Sequence, residues 1–270
     1  VGAPGFQRTP GEGPRGRVRV FRAPDFQRFP SAWSYFEGES AVEAAGTAVT
    51  GLGDIDGDGK DDLAIGAPRA VVGGVAASGR VYVISGATGR KLYALDGTAW
   101  PQSGGEAPLG EGFGSVLASL YQKKGARTAD FNGDTRPDFA IGAPTASPGQ
   151  RKSAGAVYVY SAPMVGASPG SLLLRYDGAS TQDFFGSSLA VAGDLNFDGF
   201  LDLVVGAPNA LDTSDSRGVR RGSATIFYGG PFNPFQRPPG LVVCELRDRS
   251  GTAGSASAQR TVTIGQTVRV

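Results

Sequence analysis

The chain has 270 residues, of which 26 are basic and 25 acidic, and it has no histidine; mechanisms that need an imidazole, from Ser-His-Asp triads to His-ligated zinc, are therefore excluded. Its one cysteine, Cys244, likewise excludes disulfide frameworks, cysteine-rich zinc sites and iron–sulfur clusters. The 43 glycines and 18 prolines disfavour long helices, the near-neutral charge gives no overall basis for binding nucleic acid or membrane surfaces, and no apolar run is long enough to span a bilayer.

The N-terminal thirty residues are rich in arginine. They contain Arg8, Arg15, Arg17, Arg19, Arg22 and Arg28. This pattern indicates a solvated edge strand guarded by charge, and a polyanion-binding patch is the alternative. The segment begins without an initiator methionine or a signal peptide, so we expect a mature or partial segment.

A short repeat recurs along the chain. An apolar-Gly-Ala-Pro tetrapeptide occurs at 1–4, 65–68, 141–144 and 205–208. The dipeptides Phe113-Gly114 and Phe185-Gly186 lie upstream of the last two copies, and Ala45-Gly46 fits the same register. A second apolar run follows each tetrapeptide, as in GRVYVIS from Gly79. Such repetition predicts one structural unit used several times.

Each unit is predicted to form four short β-strands separated by clusters of Gly, Pro, Ser and Asp. No window keeps the 3.6-residue period of an amphipathic helix. A β-helix has much shorter coils and a sandwich does not repeat its sequence, whereas a repeated four-stranded antiparallel unit is typical of a propeller blade. We therefore predict an all-β fold, a single β-propeller domain over 1–270. Its units fall at approximately 1–44, 45–112, 113–184 and 185–263, with 264–270 starting or closing another blade.

Three nine-residue acidic loops precede the last three tetrapeptides and form the candidate site. Oxygen ligands at positions 1, 3, 5 and 9, with a main-chain carbonyl at position 7, suit Ca²⁺, and glycine at position 6 allows a sharp turn. The predicted ligands, for up to three ions, are Asp54, Asp56, Asp58, Lys60 (carbonyl) and Asp62; Asp130, Asn132, Asp134, Arg136 (carbonyl) and Asp138; and Asp194, Asn196, Asp198, Phe200 (carbonyl) and Asp202.

Other interpretations of these loops are weaker. Asp-Gly and Asn-Gly also form ordinary polar hairpin turns, but three copies with one spacing disfavour that interpretation. Mg²⁺ prefers one or two carboxylates and several retained waters. Paired carboxylates for glycoside hydrolysis would need to face each other across a cleft. From ligand charge and turn geometry, we expect the first loop to bind calcium most tightly, then the third, then the second.

The tetrapeptides, Phe-Gly dipeptides and acidic loops together resemble FG-GAP repeats, the blades of the integrin α-subunit propeller. The resemblance covers nearly the whole chain. It implies that the acidic loop joins the first two strands of each blade and that ligand contacts lie on the opposite face, near 69–78, 97–112, 145–154, 177–184 and 209–221. This chain departs from the pattern at Ala45, at Thr135 in the glycine position of the second loop, and through about eight extra residues near 119–127.

The family usually closes seven blades. A fragment of a larger propeller, a small ring closed by pairing its two ends, and end-to-end pairing between chains all fit four units. The C-terminal segment Ile264–Val270 aligns with a first strand, and we expect it to pair beside the segment Val1–Pro4, within one chain or between neighbours.

The predicted function is that of a non-catalytic, calcium-binding propeller at the cell surface or outside the cell, serving adhesion, protein interaction or structural self-assembly. The alternative is the accessory propeller of a secreted enzyme. The expected partner is a protein, or a second copy through open blade edges, with no nucleic acid and no membrane insertion. Carbohydrate has little support, because Trp33 and Trp100 are better explained by packing at blade junctions. Cys244 lies in an apolar run and is predicted to be a buried, inert thiol.

Overall fold

The computed structural model describes residues 1–21, 34–100, 108–124, 127–163, 170–211, 218–231, 242–244 and 265–266. Within these ranges the regular secondary structure is β-strand, apart from a 3₁₀ turn at Pro148–Gln150, and turns and loops connect the strands. No helix among them is long and apolar enough to cross a membrane. The predicted all-β fold is confirmed.

Four antiparallel sheets, called blades 1 to 4 in chain order, contain most of the strands. Blade 1 contains β1 (Gly2–Ala3), β2 (Arg17–Val20) and β3 (Ser34–Glu37). Blade 2 contains β4 (Ala48–Gly53), β5 (Asp62–Ala67), β6 (Arg80–Ile84) and β7 (Lys91–Asp96). A two-stranded hairpin of β8 (Ala99–Trp100) and β9 (Leu109–Gly110) follows.

Blade 3 is interrupted by an extra hairpin, β11 (Tyr121–Lys124) with β12 (Arg127–Asp130). The strands of blade 3 itself are β10 (Val116–Ser119), β13 (Asp138–Ala143), β14 (Ala156–Ser161) and β15 (Ser171–Asp177). The additional residues noted near 119–127 thus form a separate hairpin and leave the four-stranded order of the blade unchanged.

Blade 4 has five strands: β16 (Ser188–Gly193), β17 (Asp202–Ala207), β18 (Ser223–Phe227), β19 (Val242–Cys244) and β20 (Gly265–Gln266). Gly265 and Gln266 pair antiparallel with Val243 and Val242. Among the described residues β20 thus extends blade 4, and the expected pairing of the segment Ile264–Val270 beside Val1–Pro4 stays a prediction. Trp33 and the side chain of Cys244 lie outside the described residues.

Alternating side chains place apolar groups on both faces of the central strands of blades 2 and 3, as a sheet buried between neighbours requires. In β6, Val81 and Val83 face blade 3, whereas Tyr82 and Ile84 face blade 1. Three apolar layers result, one between each pair of adjacent blades. Their most buried members include Ile65 and Tyr82, then Val81 and Phe139, then Val157 and Leu203.

The recurring glycines lie where adjacent blades touch, a contact we call the inter-blade seam. A methyl group at Gly66 would lie 2.0 Å from the carbonyl oxygen of Gly114, and one at Gly142 would lie 2.3 Å from that of Gly186. Beside this contact, Gly79 forms an isolated parallel bridge with Phe113. The tetrapeptide glycine of one blade and the Phe-Gly glycine of the next therefore allow the two backbones to approach more closely than a Cβ atom would permit.

Replacing a seam glycine should separate two blades. Gly142→Ala is expected to lower the free energy of unfolding by about 1–3 kcal/mol, the usual cost of overpacking. Gly5→Ala is the matched control, because a methyl group there meets no atom within 4 Å, and it should change stability by less than about 0.5 kcal/mol. Chemical denaturation of both variants measures the difference, and equal midpoints would contradict the proposed role of the seam.

Candidate metal centre

The three acidic loops occupy equivalent places in blades 2, 3 and 4. Each runs into the second strand of its blade, which begins at the ninth loop residue: Asp62 in β5, Asp138 in β13 and Asp202 in β17. These three position-9 side chains are fully buried. The repeat therefore puts one buried carboxylate at the base of each loop, and in the second loop Asp130 is buried as well.

One hydrogen-bond scaffold holds all three loops. In the first loop, the position-1 carboxylate of Asp54 accepts the N–H of Gly59 at 2.9 Å. The position-5 carboxylate of Asp58 accepts the N–H of Lys60 at 2.9 Å. The position-9 carboxylate of Asp62 accepts the N–H of Ile55 at 2.8 Å. The corresponding distances are 2.8, 2.9 and 3.0 Å in the second loop and 2.8, 3.0 and 2.6 Å in the third.

Two positions in each loop adopt the left-handed conformation. Position 6 has φ of 84° at Gly59, 66° at Thr135 and 95° at Gly199, so the predicted strain at Thr135 is present. Position 4 has the same requirement, which the sequence did not reveal. It is glycine in the first two loops and Phe197, with φ of 61° and 91% exposure, in the third.

The first loop gathers three of its acids. Carboxylate oxygens of Asp54, Asp56 and Asp58 lie within 4.8 Å of one another. Oxygens bound to one Ca²⁺ lie at about 2.3–2.6 Å from it, so two of them are separated by at most about 5 Å. This spacing fits a shared ion. Asp62 lies deeper, and its other oxygen accepts the N–H of Gly86 at 2.9 Å.

The second loop brings together Asp130, Asp134 and Asp138, again within 4.8 Å. Asp138 Oδ1 is buried and has no hydrogen-bond partner among the described residues. In the first and third loops, the glycine after the third strand donates to the corresponding oxygen. Here the equivalent N–H, that of Ala162, donates instead to the carbonyl of Pro137 at 2.8 Å. A buried carboxylate oxygen without a donor fits a cation ligand.

The acids of the second loop have pKa values shifted in opposite directions. Burial raises the pKa of Asp138 to about 7 and also raises the pKa of Asp130. Burial acts in the same direction on Asp134, but hydrogen bonds led by those from Arg136 hold its pKa below the ordinary value. The Arg136 guanidinium forms an ion pair with Asp134. One protein cation therefore already offsets part of the charge in this loop.

The third loop is the least compact of the three. No trio of its acids meets the 4.8 Å spacing within the part of the chain that the structure describes. Asn196 Nδ2 donates to Asp198 Oδ2 at 2.7 Å, as Asn132 Nδ2 does to Asp134 Oδ2 at 3.1 Å in the second loop, so the amide contact does not account for the difference. The shared sequence spacing thus puts the predicted ligands at equivalent positions of the three loops, but the distances between their carboxylates differ from loop to loop.

Position 7 differs most between the loops, although its predicted role is only to offer a carbonyl. Lys60 is exposed. Arg136 turns back onto Asp134. Phe200 packs against the second loop, where a methyl group at Gly133 would lie 2.6 Å from its Cε1 atom.

A second set of buried carboxylates was missed by the sequence reasoning. Glu43, Glu111 and Asp183 each lie two residues before the Phe-Gly position of the next blade, and all three are buried. Glu111 accepts hydrogen bonds from Thr98 N (2.6 Å), Trp100 Nε1 (3.0 Å) and the Tyr158 hydroxyl (2.6 Å). The constant offset from the Phe-Gly position was the available signal. Glu111 thus connects neighbouring elements by hydrogen bonds. Trp100 also packs against the apolar layer between blades 2 and 3, as expected.

Comparison with known proteins identifies the repeat. The FG-GAP repeat family matches residues 45–84, 126–160 and 185–227. The chain is 36% identical over 192 residues to phosphatidylinositol-glycan-specific phospholipase D of Homo sapiens, covering 69% of this chain and 21% of that protein. It is 46% identical over 133 residues to integrin alpha-7 of Homo sapiens, covering 48% of this chain and 9% of the integrin.

A third relative extends the integrin similarity beyond vertebrates. Integrin alpha-PS2 of Drosophila melanogaster is 32% identical over 206 residues, covering 72% of this chain and 12% of the integrin. The chain thus spans about a fifth or less of the length of these relatives. The resemblance to the integrin α propeller is confirmed.

Protein kept in chelator should lose stability as the pH rises. An unfolded aspartate titrates near about 4, and Asp138 in the folded chain has a pKa of about 7. A carboxyl with a raised pKa adds stability while it is protonated, and that contribution is lost between these two values. Melting temperatures of the protein in chelator should therefore be lower at about pH 8 than at about pH 5. Asp138→Asn should reduce this difference, and an unchanged difference in the variant would contradict the assignment.

Proposed function

Since this chain is an FG-GAP repeat protein, we propose that it is a non-catalytic, calcium-stabilised propeller that serves protein interaction or adhesion at the cell surface or outside the cell. The observation that carries the calcium proposal is the second loop. Carboxylate oxygens of its three acids lie within 4.8 Å of one another, and one buried carboxylate oxygen has no donor among the residues that the structure describes. The same scaffold of loop hydrogen bonds in the first and third loops extends the proposal to up to three ions.

Calcium would act here as a structural ligand. The side chains at positions 1, 3, 5 and 9 and the carbonyl at position 7 would hold it, and the ion would offset the repulsion among carboxylates. Oxygen sites of moderate affinity suit the millimolar calcium found outside cells, which supports the proposed location.

The interaction role is supported by the integrin relatives. Integrin alpha-7 and integrin alpha-PS2 align with this chain over 133 and 206 residues, at 46% and 32% identity. A buried apolar layer between every pair of blades gives the chain a rigid frame from which loops on the face away from the acidic loops can contact a partner. Self-association through open blade edges is the other form of this proposal.

An accessory propeller of a secreted enzyme is the second candidate. It is favoured by the 36% identity to phosphatidylinositol-glycan-specific phospholipase D over 69% of this chain. The two candidates differ in what else the polypeptide contains, because only the second requires a catalytic domain. Sequencing the complete transcript distinguishes them: a fused catalytic domain would support the second, and adhesion-type domains the first.

Calcium should raise the melting temperature of the chain. At a free concentration of about 100 times its dissociation constant, each ion adds about 2.7 kcal/mol to the free energy of unfolding. Asp58→Asn should weaken this effect, since Asp58 is a predicted ligand. Asp61→Asn removes the same charge from the exposed, non-ligand position 8 and should not. Differential scanning calorimetry with calcium and with chelator tests both, and identical midpoints in the two conditions would refute calcium binding.

The three loops should release calcium in the order second, third, first. Four aspartates and two glycine turns favour the first loop, whereas Thr135 at φ 66° and the Arg136–Asp134 ion pair weaken the second. Ion density at each loop, measured in crystals equilibrated with graded chelator, gives the order. Retention of the ion in the second loop beyond the first would show that ligand charge does not determine affinity here.

A further inference from the structure

The fourth blade makes two backbone hydrogen bonds to the second acidic loop. The N–H of Leu201, at position 8 of the third loop, donates to the carbonyl of Asp130 at 2.9 Å. The N–H of Gly230, just after β18, donates to the carbonyl of Phe131 at 2.8 Å. The first two residues of the second loop are therefore fixed by the blade that contains the third loop.

A side chain makes a further link between the same loops. The ring of Phe200 lies against Gly133, where a methyl group would be 2.6 Å from Cε1. The N–H of Phe200 in turn donates a hydrogen bond to Asp198 Oδ1 at 3.0 Å. Gly133 N–H donates to Asp130 Oδ1. A continuous chain of contacts thus runs from a predicted ligand of the third loop to a predicted ligand of the second.

The first and second loops cannot be joined in this way. The residues equivalent to Leu201 and Gly230 in blade 3 are Pro137 and Pro163, and proline has no backbone N–H to donate. The chain instead meets the end of β4 with side chains: a methyl group at Gly53 would lie 2.7 Å from the ring of Tyr121 and 3.6 Å from Pro137. Tyr121 pairs with Asp130 in the β11–β12 hairpin, so blade 3 meets the first loop through side chains in place of the two backbone hydrogen bonds.

We infer that the second and third loops bind their ions as a coupled pair, whereas the first loop binds independently. This inference rests on the calcium binding proposed above. An ion that orders Asp198 also fixes Phe200 and Leu201, and these hold the backbone of Asp130 and Gly133. The second ion then meets a loop whose ordering cost has been reduced, which gives positive cooperativity. The coupling is reciprocal, so each loop raises the affinity of the other by the same factor.

Calorimetric calcium titration of single-loop variants tests the coupling. Asp198→Asn, which disables the third loop, should lower the affinity of the second loop by at least about fivefold, the lower range of typical coupling. Asp58→Asn, which disables the first loop, is the matched control and should change it by less than about twofold. With the first loop disabled, the remaining two sites should titrate cooperatively.

Two further variants isolate the contacts. Phe200→Ala removes the ring from Gly133, and Leu201→Pro introduces at position 8 the residue that the second loop has there. Both should abolish cooperativity between the two loops, and Phe200→Ala does so with the main-chain carbonyl of position 7 still present. Leu201 is only 3% exposed, so its variant is first checked for a native circular dichroism spectrum, and Phe200→Ala decides the question if that variant does not fold.

The outcomes separate the two proposals. Calcium binding with equal second-loop affinity in the wild type and in Asp198→Asn would overturn the coupling and leave the calcium proposal intact. Equal effects of Asp198→Asn and Asp58→Asn on the second loop would also overturn it. Absence of binding heat at every loop of the wild type would refute the proposed function and the coupling with it.

Discussion

The close approach of glycine backbones at each inter-blade seam is the constraint on which this structure depends. Gly66 lies against Gly114, and Gly142 against Gly186, at distances that leave no room for a side chain. Because the seams fix the spacing between sheets, the strands of adjacent blades bury their apolar faces against each other. The same spacing brings Leu201 within hydrogen-bond reach of the second acidic loop. The geometry of the candidate metal centre therefore follows from the way blades meet as well as from the loop sequence.

Each acidic loop combines a rigid backbone with an electrostatic cost. Internal hydrogen bonds set the direction of every carboxylate, and burial of the position-9 aspartates raises the pKa of Asp62, Asp138 and Asp202. A buried carboxylate is stabilised by a proton or by a cation. The scaffold thus concentrates, at one point in each blade, the charge that a hard ion would relieve. Arg136 relieves part of it in the second loop.

The sequence predicted the features that the three acidic loops share, but not the contacts in which they differ. Equal spacing of acids located the loops, and glycine at position 6 anticipated its left-handed backbone, because both depend on local geometry. That pattern does not predict the contacts of the side chain at position 7, because any residue type can offer a main-chain carbonyl as a ligand. Phe200 acquires its contact only because blade 3 lies beside it. For the same reason, the partner of β20 and the hydrogen bonds of Glu111 depend on packing between distant segments, which periodicity does not report.

Every described seam is built from the same pair of glycines, so the close backbone contact is the same at each blade boundary, although the contacts between the acidic loops are not. Duplication of a whole blade reproduces this glycine pair, whereas duplication of half a blade would leave a glycine facing the wrong strand. Growth and shortening of such a chain therefore proceed in whole blades. Smaller insertions are tolerated where they avoid the seam, as the β11–β12 hairpin shows within blade 3. The number of blades can thus vary while the glycine contact that spaces them stays the same.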